Sequence, residues 1–230
     1  MNGLSAVRCP GGRWLPALLT LTLLLTASLA GCSKAGASRP APAPTADSGA
    51  TLPAVTQVDQ PYFVLRPGTV YIYRTPSGGE IRMEVQAPAE LADLGSGRKV
   101  TGYQLVTEEE TLYLTIQEPD WVMEVGDSGE GGGAVYKTAK PEFPLHPQVG
   151  QSWTKSFADE FEGAGSFIST VTGFETVQTK AGTFEQAARV EVTFQAPDGS
   201  KDQWTEWYAP GVGRVKTSNG LELVRVEWPR

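Results

Sequence analysis

From Pro61 onward the apolar residues of this chain recur at every second position, and that alternation excludes most folds before any motif is considered. In Glu80–Val85, Ile81, Met83 and Val85 share one face while Glu80, Arg82 and Glu84 share the other, which is the pattern of a half-buried strand. Thr111–Ile116 repeats it, with Leu112, Leu114 and Ile116 predicted inward, and Arg189–Phe194 does so with Val190, Val192 and Phe194. Thr69-Val70-Tyr71-Ile72-Tyr73 is apolar on both faces, as a central strand covered on each side should be. A long helical stripe is missing from this part of the sequence. Only Pro88–Leu94 and Thr183–Ala188 have room for a turn or two of helix.

Turn chemistry divides the strands. Pro76-Ser77-Gly78-Gly79 separates the first two, and Pro197-Asp198-Gly199 reads as a type I turn with a glycine bulge. Ser218-Asn219-Gly220-Leu221 reads as a two-residue Asn-Gly hairpin. That reading sets Ser218 opposite Leu221, Val215 opposite Val224 and Arg214 opposite Arg225, with Arg214, Lys216 and Arg225 as a basic outer stripe. The expected fold is all-β: an antiparallel sandwich or curved half-open barrel of about ten strands over residues 57–230. An internal echo also stands out. Phe63-Val64-Leu65-Arg66-Pro67-Gly68 ahead of Tyr71 resembles Phe143-Pro144-Leu145-His146-Pro147-Gln148-Val149-Gly150 ahead of Trp153, so residues 62–140 and 143–228 are candidate similar halves.

The first 56 residues follow different rules. Arg8 and Arg13 form a basic start, and no side chain from Trp14 to Gly31 is ionisable. Leu18, Leu19, Leu21, Leu23, Leu24 and Leu25 make the apolar centre, and Leu29-Ala30-Gly31-Cys32 closes it. That closing tetrapeptide resembles the lipobox of bacterial lipoproteins. The resemblance implies diacylglyceryl transfer to Cys32, cleavage between Gly31 and Cys32, and a mature chain that begins at the acylated cysteine. An uncleaved transmembrane anchor is the plainer alternative, but threonines dilute the run and no basic stop-transfer cluster follows it. Two or three acyl chains hold a protein durably where one does not. Residues 32–56, typified by Arg39-Pro40-Ala41-Pro42-Ala43-Pro44, lack the side chains to build a core and are expected to be an extended tether. The expected location is the cell envelope, facing away from the cytoplasm. Ser33 after the cysteine favours the outer membrane if the envelope is Gram-negative.

Composition narrows the function classes. Cleavage removes Cys9 and acylates Cys32, the chain's 2 cysteines, so no disulfide, thiol nucleophile or thiolate metal site is expected. The mature chain keeps 17 basic residues, 19 less Arg8 and Arg13, against 26 acids, a net charge of −9. That balance disfavours nucleic acid, whose binding rests on cations meeting phosphates. The expected partners are the membrane, through the lipid anchor, and a protein or an apolar ligand; no cofactor is expected.

The second half carries a further resemblance. Ala181-Gly182-Thr183-Phe184-Glu185 and Trp207-Tyr208-Ala209-Pro210-Gly211-Val212-Gly213-Arg214-Val215-Lys216, with the opener at Phe143, are similar to TapB-like envelope domains of unknown function. The likeness spans about Phe143 to Glu227 and implies an antiparallel β fold with no catalytic residues to carry over.

Candidate chemistry is sparse. Gly126-Asp127-Ser128-Gly129 resembles a serine-protease nucleophile motif, but Glu130 stands where that motif has glycine, and His146 lacks a triad context. A glycine-rich hairpin loop through Gly133 is the plainer reading. One histidine makes no zinc site, and His146 reads as a surface-loop residue. Glu108-Glu109-Glu110 and Asp159, Glu160 and Glu162 read as solvated turn charge, and Asp127 with Glu130 matches no calcium loop. Trp204, Trp207, Tyr208 and Trp228 are the candidate apolar ligand face. The expectation is an anchored protein that binds or assembles. A carrier for an apolar envelope molecule is the alternative, and an envelope hydrolase a remote one.

Overall fold

A computed structural model describes residues 60–93, 95–117, 120–129, 132–159 and 163–230. The strands are β1 (Val70–Arg74), β2 (Glu80–Ala92), β3 (Lys99–Val106), β4 (Glu110–Gln117), β5 (Trp121–Gly129) and β6 (Gly132–Pro144), then β7 (Ser152–Asp159), β8 (Gly163–Thr179), β9 (Gly182–Gln195), β10 (Lys201–Ala209), β11 (Gly213–Thr217) and β12 (Glu222–Glu227). All twelve form one antiparallel sheet in the order β6-β5-β4-β3-β2-β1-β12-β11-β10-β9-β8-β7. The sheet is thus a meander whose first and last strands pair, curled into a half-open barrel with β6 and β7 at its two free edges.

Alternation builds the walls. β1 is buried on both faces, with Val70, Tyr71, Ile72 and Tyr73 between 4 % and 8 % exposed. Val85, Val190 and Val192 point into the core, while Arg82–Glu84 and Arg189–Glu191 pair on the solvent side. The exterior of these strands is therefore charged, the reverse of the apolar band a lipid-facing barrel needs. The largest apolar cluster joins Tyr71, Tyr73, Val85, Leu114, Phe184 and Leu223, among others. A second gathers Phe143, Val171, Val190 and Tyr208, and a smaller third joins Leu91, Tyr113, Val125 and Val135.

Three hairpin loops share one design. In Thr75–Gly79, Ala196–Ser200 and Thr217–Leu221 the first N–H donates to the fifth carbonyl, and the glycine in fourth place donates back to the first carbonyl. Gly78, Gly199 and Gly220 have φ of 88°, 84° and 101°, which is a type I turn closed by a glycine bulge. Ser218-Asn219-Gly220 is accordingly a three-residue loop, not the expected two-residue one. The register moves by one, so Lys216 meets Glu222 and Arg214 does not oppose Arg225. No basic outer stripe forms. Arg225 pairs with Glu227 at 2.8 Å on the surface, whereas Arg214 packs against Glu206.

Bulges account for the other departures. Of the two expected helical turns, Pro88–Ala92 belongs to β2 and Thr183–Ala188 to β9, while Leu94 lies outside the described residues. The β2–β3 register jumps between Gln86 and Ala89, and the β8–β9 register jumps beside Gln186, whose φ is 55°. A bulge breaks the period of two locally and so mimics a turn of helix. Gly126–Gly129 and Gly132–Gly133 likewise lie in β5 and β6 instead of a loop. Ile116 shares a face with Leu112 and Leu114 but ends up 50 % exposed, although its cross-strand partner Val122 is fully buried.

The two echoing openers fold alike. Gly68 and Gly150 both have φ of 86°, and Thr69 N and Gln151 N close their turns onto Arg66 O and Gln148 O. Gly68 N and Thr69 O bracket Val85, just as Gly150 N and Gln151 O bracket Val171. Both valines are fully buried. The hairpins β1–β2 and β7–β8 therefore start from one geometry.

Candidate functional site

Two features of the β6–β10 region go beyond packing. The first is a set of charges around the buried Glu124, its partners only partly buried. Inward positions of β5, β6 and β7 bring the Lys155 ammonium to Glu142 Oε2 at 2.9 Å and into contact with the Glu124 carboxylate. Glu124 is only 3 % exposed. The Tyr136 hydroxyl donates to Glu124 Oε1 at 2.7 Å and also reaches Asp127, while Lys140 stacks over the Tyr136 ring. Burial alone would lower the pKa of Lys155, but Glu142 and Glu124 outweigh it and raise it. Burial opposes ionisation of Glu142 as well, yet Lys155 holds its pKa below the usual range. For Glu110, burial first, then Asp127 and Glu124, outweigh the downward pull of Lys155 and push the carboxyl up to about 7. Glu110 therefore belongs with this network and not with the solvated turn charge.

The charges continue across the interior. Glu206, 5 % exposed, accepts from Trp204 Nε1 at 2.8 Å and from the Tyr208 hydroxyl at 2.5 Å, and Arg214 stands 3.5 Å away. Burial pushes the Tyr73 hydroxyl up to about 12, and it donates to the Arg214 carbonyl at 2.7 Å. Each buried charge here faces an opposite charge or a hydrogen-bond donor, as burial requires.

The second feature is aromatic. Phe157, Phe167 and Phe194 contact one another with ring centroids 5.1–5.9 Å apart, and Trp204 meets Phe167 edge-on at 6.2 Å. All four are only partly buried. Phe157 borders an open hollow of about 370 Å³ lined by Gly165, Ser166, Gln195 and Pro197, and Trp204 borders another of about 330 Å³ with Glu191, Gln203 and Ser218.

The sequence-predicted positions distribute as follows. Gly31 and Cys32 lie outside the described residues, as do Glu130, Glu160 and Glu162. Trp204 and Tyr208 share the inner face, but Trp207 points to the other and donates to Glu175 at 2.5 Å. Trp228 lies beyond the end of β12, 38 % exposed. Asp127 and Ser128 are strand residues of β5, and His146 is exposed in the bend after β6. Among the described residues no group of three His, Cys, Asp or Glu side chains is placed to hold a metal ion. The rings Phe157, Phe167 and Phe194 were absent from the sequence-level site, although Phe167 and Phe194 are directly paired across β8 and β9. Comparison with known proteins returned no matching family model, curated sequence or solved structure.

Proposed function

We propose that the protein is a lipid-anchored envelope lipoprotein whose β domain acts by binding and not by catalysis. The observation that carries the binding role is the partly buried ring cluster of Phe157, Phe167, Phe194 and Trp204, whose Phe157 lines an open hollow of about 370 Å³. Exposed aromatic rings flanked by polar groups are the usual anchors of a binding surface. The anchor rests on Leu29-Ala30-Gly31-Cys32 and the proline-alanine segment behind it.

Full enclosure of an apolar ligand fits the geometry less well than surface binding. The middle of the barrel is filled by Phe143, Tyr208 and the Lys155 charge network, and the two hollows open to solvent.

Mass spectrometry of the protein purified from its native host tests the reading. The expected result is a chain starting at Cys32 with acyl mass on that residue, together with a co-purifying molecule that is depleted in Phe194→Gln. An unmodified full-length chain in the soluble fraction overturns the anchor. Co-purification unchanged by Phe194→Gln overturns the binding face.

A further inference from the structure

We infer that the seam between β6 and β7 is a built-in opening of the barrel, held shut by side chains with Lys155 as its latch. The inference stands on the two echoing openers and not on the binding role. β1 and β7 leave the same turn, at Gly68 and Gly150, and pair with the next strand around the same buried valine position, Val85 and Val171. Their other edges differ. β1 is laddered to β12 from Val70↔Glu227 to Arg74↔Glu222, and so it is fixed on both sides. β7 pairs with β8 alone and β6 with β5 alone, and among the described residues no backbone hydrogen bond joins β6 to β7.

The sequence of β6 explains why this junction has no ladder. Pro141 and Pro144 have no N–H to donate. The β5–β6 register also jumps from Lys140 to Val135, so the stretch between them bulges out of line. Side chains take over from backbone. Lys155 reaches Glu142 on β6 and Glu124 on β5, and Trp153 packs edge-on against Phe143 at 5.7 Å and Trp121 at 5.6 Å. Lys155 and Tyr73 each lie five residues past their turn glycine. On the closed junction that position carries a buried tyrosine in the apolar core; on the open one it carries a cation that meets acids of the opposing edge.

A junction of this kind opens without breaking secondary structure. It gives up two ion pairs, the two Trp153 ring contacts and the stack of Phe143 on Tyr208, all of them side-chain contacts, whereas parting β1 from β12 gives up a ladder. Opening uncovers the inner aromatics Phe143 and Trp153.

The test uses paired spin labels on the full chain, with Cys9→Ser and Cys32→Ser in every variant so that the 2 native cysteines are gone. Labels at Thr154→Cys and Lys137→Cys span the seam, and labels at Arg82→Cys and Arg225→Cys flank β1 at the ladder. All four sites are exposed. Lys155→Met is expected to add a longer-distance population at the seam and to leave the ladder pair unchanged. Glu142→Gln is expected to do the same to a smaller extent, and it serves alone if Lys155→Met fails to fold. A single unchanged seam distance in a folded variant overturns the proposal. Equal broadening at both junctions also overturns it, because that reports general loosening and not a seam.

Discussion

Phe143 on edge strand β6 lies face to face with Tyr208 on β10, ring centroids 3.9 Å apart and 19° from parallel. The two residues are far apart in the sheet order, so the stack is a contact across the inside of the barrel and not along its wall. Phe143 is fully buried and also touches Trp153 and Tyr62. It therefore ties the free edge to the opposite side.

Truncating that ring should be among the most damaging single changes in the chain. Phe143→Ala is expected to cost about 3–5 kcal/mol, the range for deleting a buried aromatic. Tyr208→Phe keeps the stack but removes a donor from Glu206, and it should cost about 1–3 kcal/mol. Urea unfolding of both variants checks the order. Equal losses would mean that the stack itself adds little beyond the hydroxyl.

Much of the fold was legible because an alternating pattern states which face each side chain takes. Ile81, Met83 and Val85 needed nothing else, and the doubly apolar Val70–Tyr73 was readable as the strand buried on both sides. Bulges were not legible. Gln186 and the Gln86–Ala89 segment break the period, and a broken period resembles a helical turn. The Asn219-Gly220 pair fits two loop lengths, and a choice between them shifts every later partner by one. The tryptophans offer the opposite lesson. Residues 204 and 207 are an odd number apart, so period two already sets them on opposite faces. The Lys155 network lay beyond reach because its members come from strands whose proximity depends on how the barrel curls.

Gly165 is a residue whose smallness the aromatic cluster requires. A Cβ there would run into Phe157 Cζ and come within 2.9 Å of the Gln195 carbonyl, so the Phe157 ring lies directly over the bare backbone. Gly165→Ala is expected to destabilise by about 1–3 kcal/mol, as overpacking does, and to displace Phe157 from Phe194. Gly173 on the same strand is the control, since nothing lies within 4 Å of its Cβ position and its φ is not in the left-handed region. Gly173→Ala should leave the thermal midpoint within a degree or two of the parent, on the order of a few tenths of a kcal/mol. Thermal denaturation of the pair, with near-ultraviolet circular dichroism reporting on the rings, separates the two cases.

The pH dependence should carry the mark of Glu110. Its carboxyl sits at about 7 in the folded chain against an ordinary 4.5, because burial and the neighbouring Asp127 and Glu124 disfavour its charge. Between those two values the folded state holds a proton that the unfolded state has released. Stability therefore falls as pH rises through that window, and the loss is complete once Glu110 has ionised in the fold. Glu142, held low by Lys155, acts below the window: its contribution is present above 4.5 and disappears as acid protonates it. The interval from pH 5 to pH 7 is thus where Glu110 is best seen. Urea midpoints of the parent should decline across that interval, and Glu110→Gln should flatten the decline and exceed the parent above pH 7. An unchanged slope in Glu110→Gln would mean that another group carries the proton.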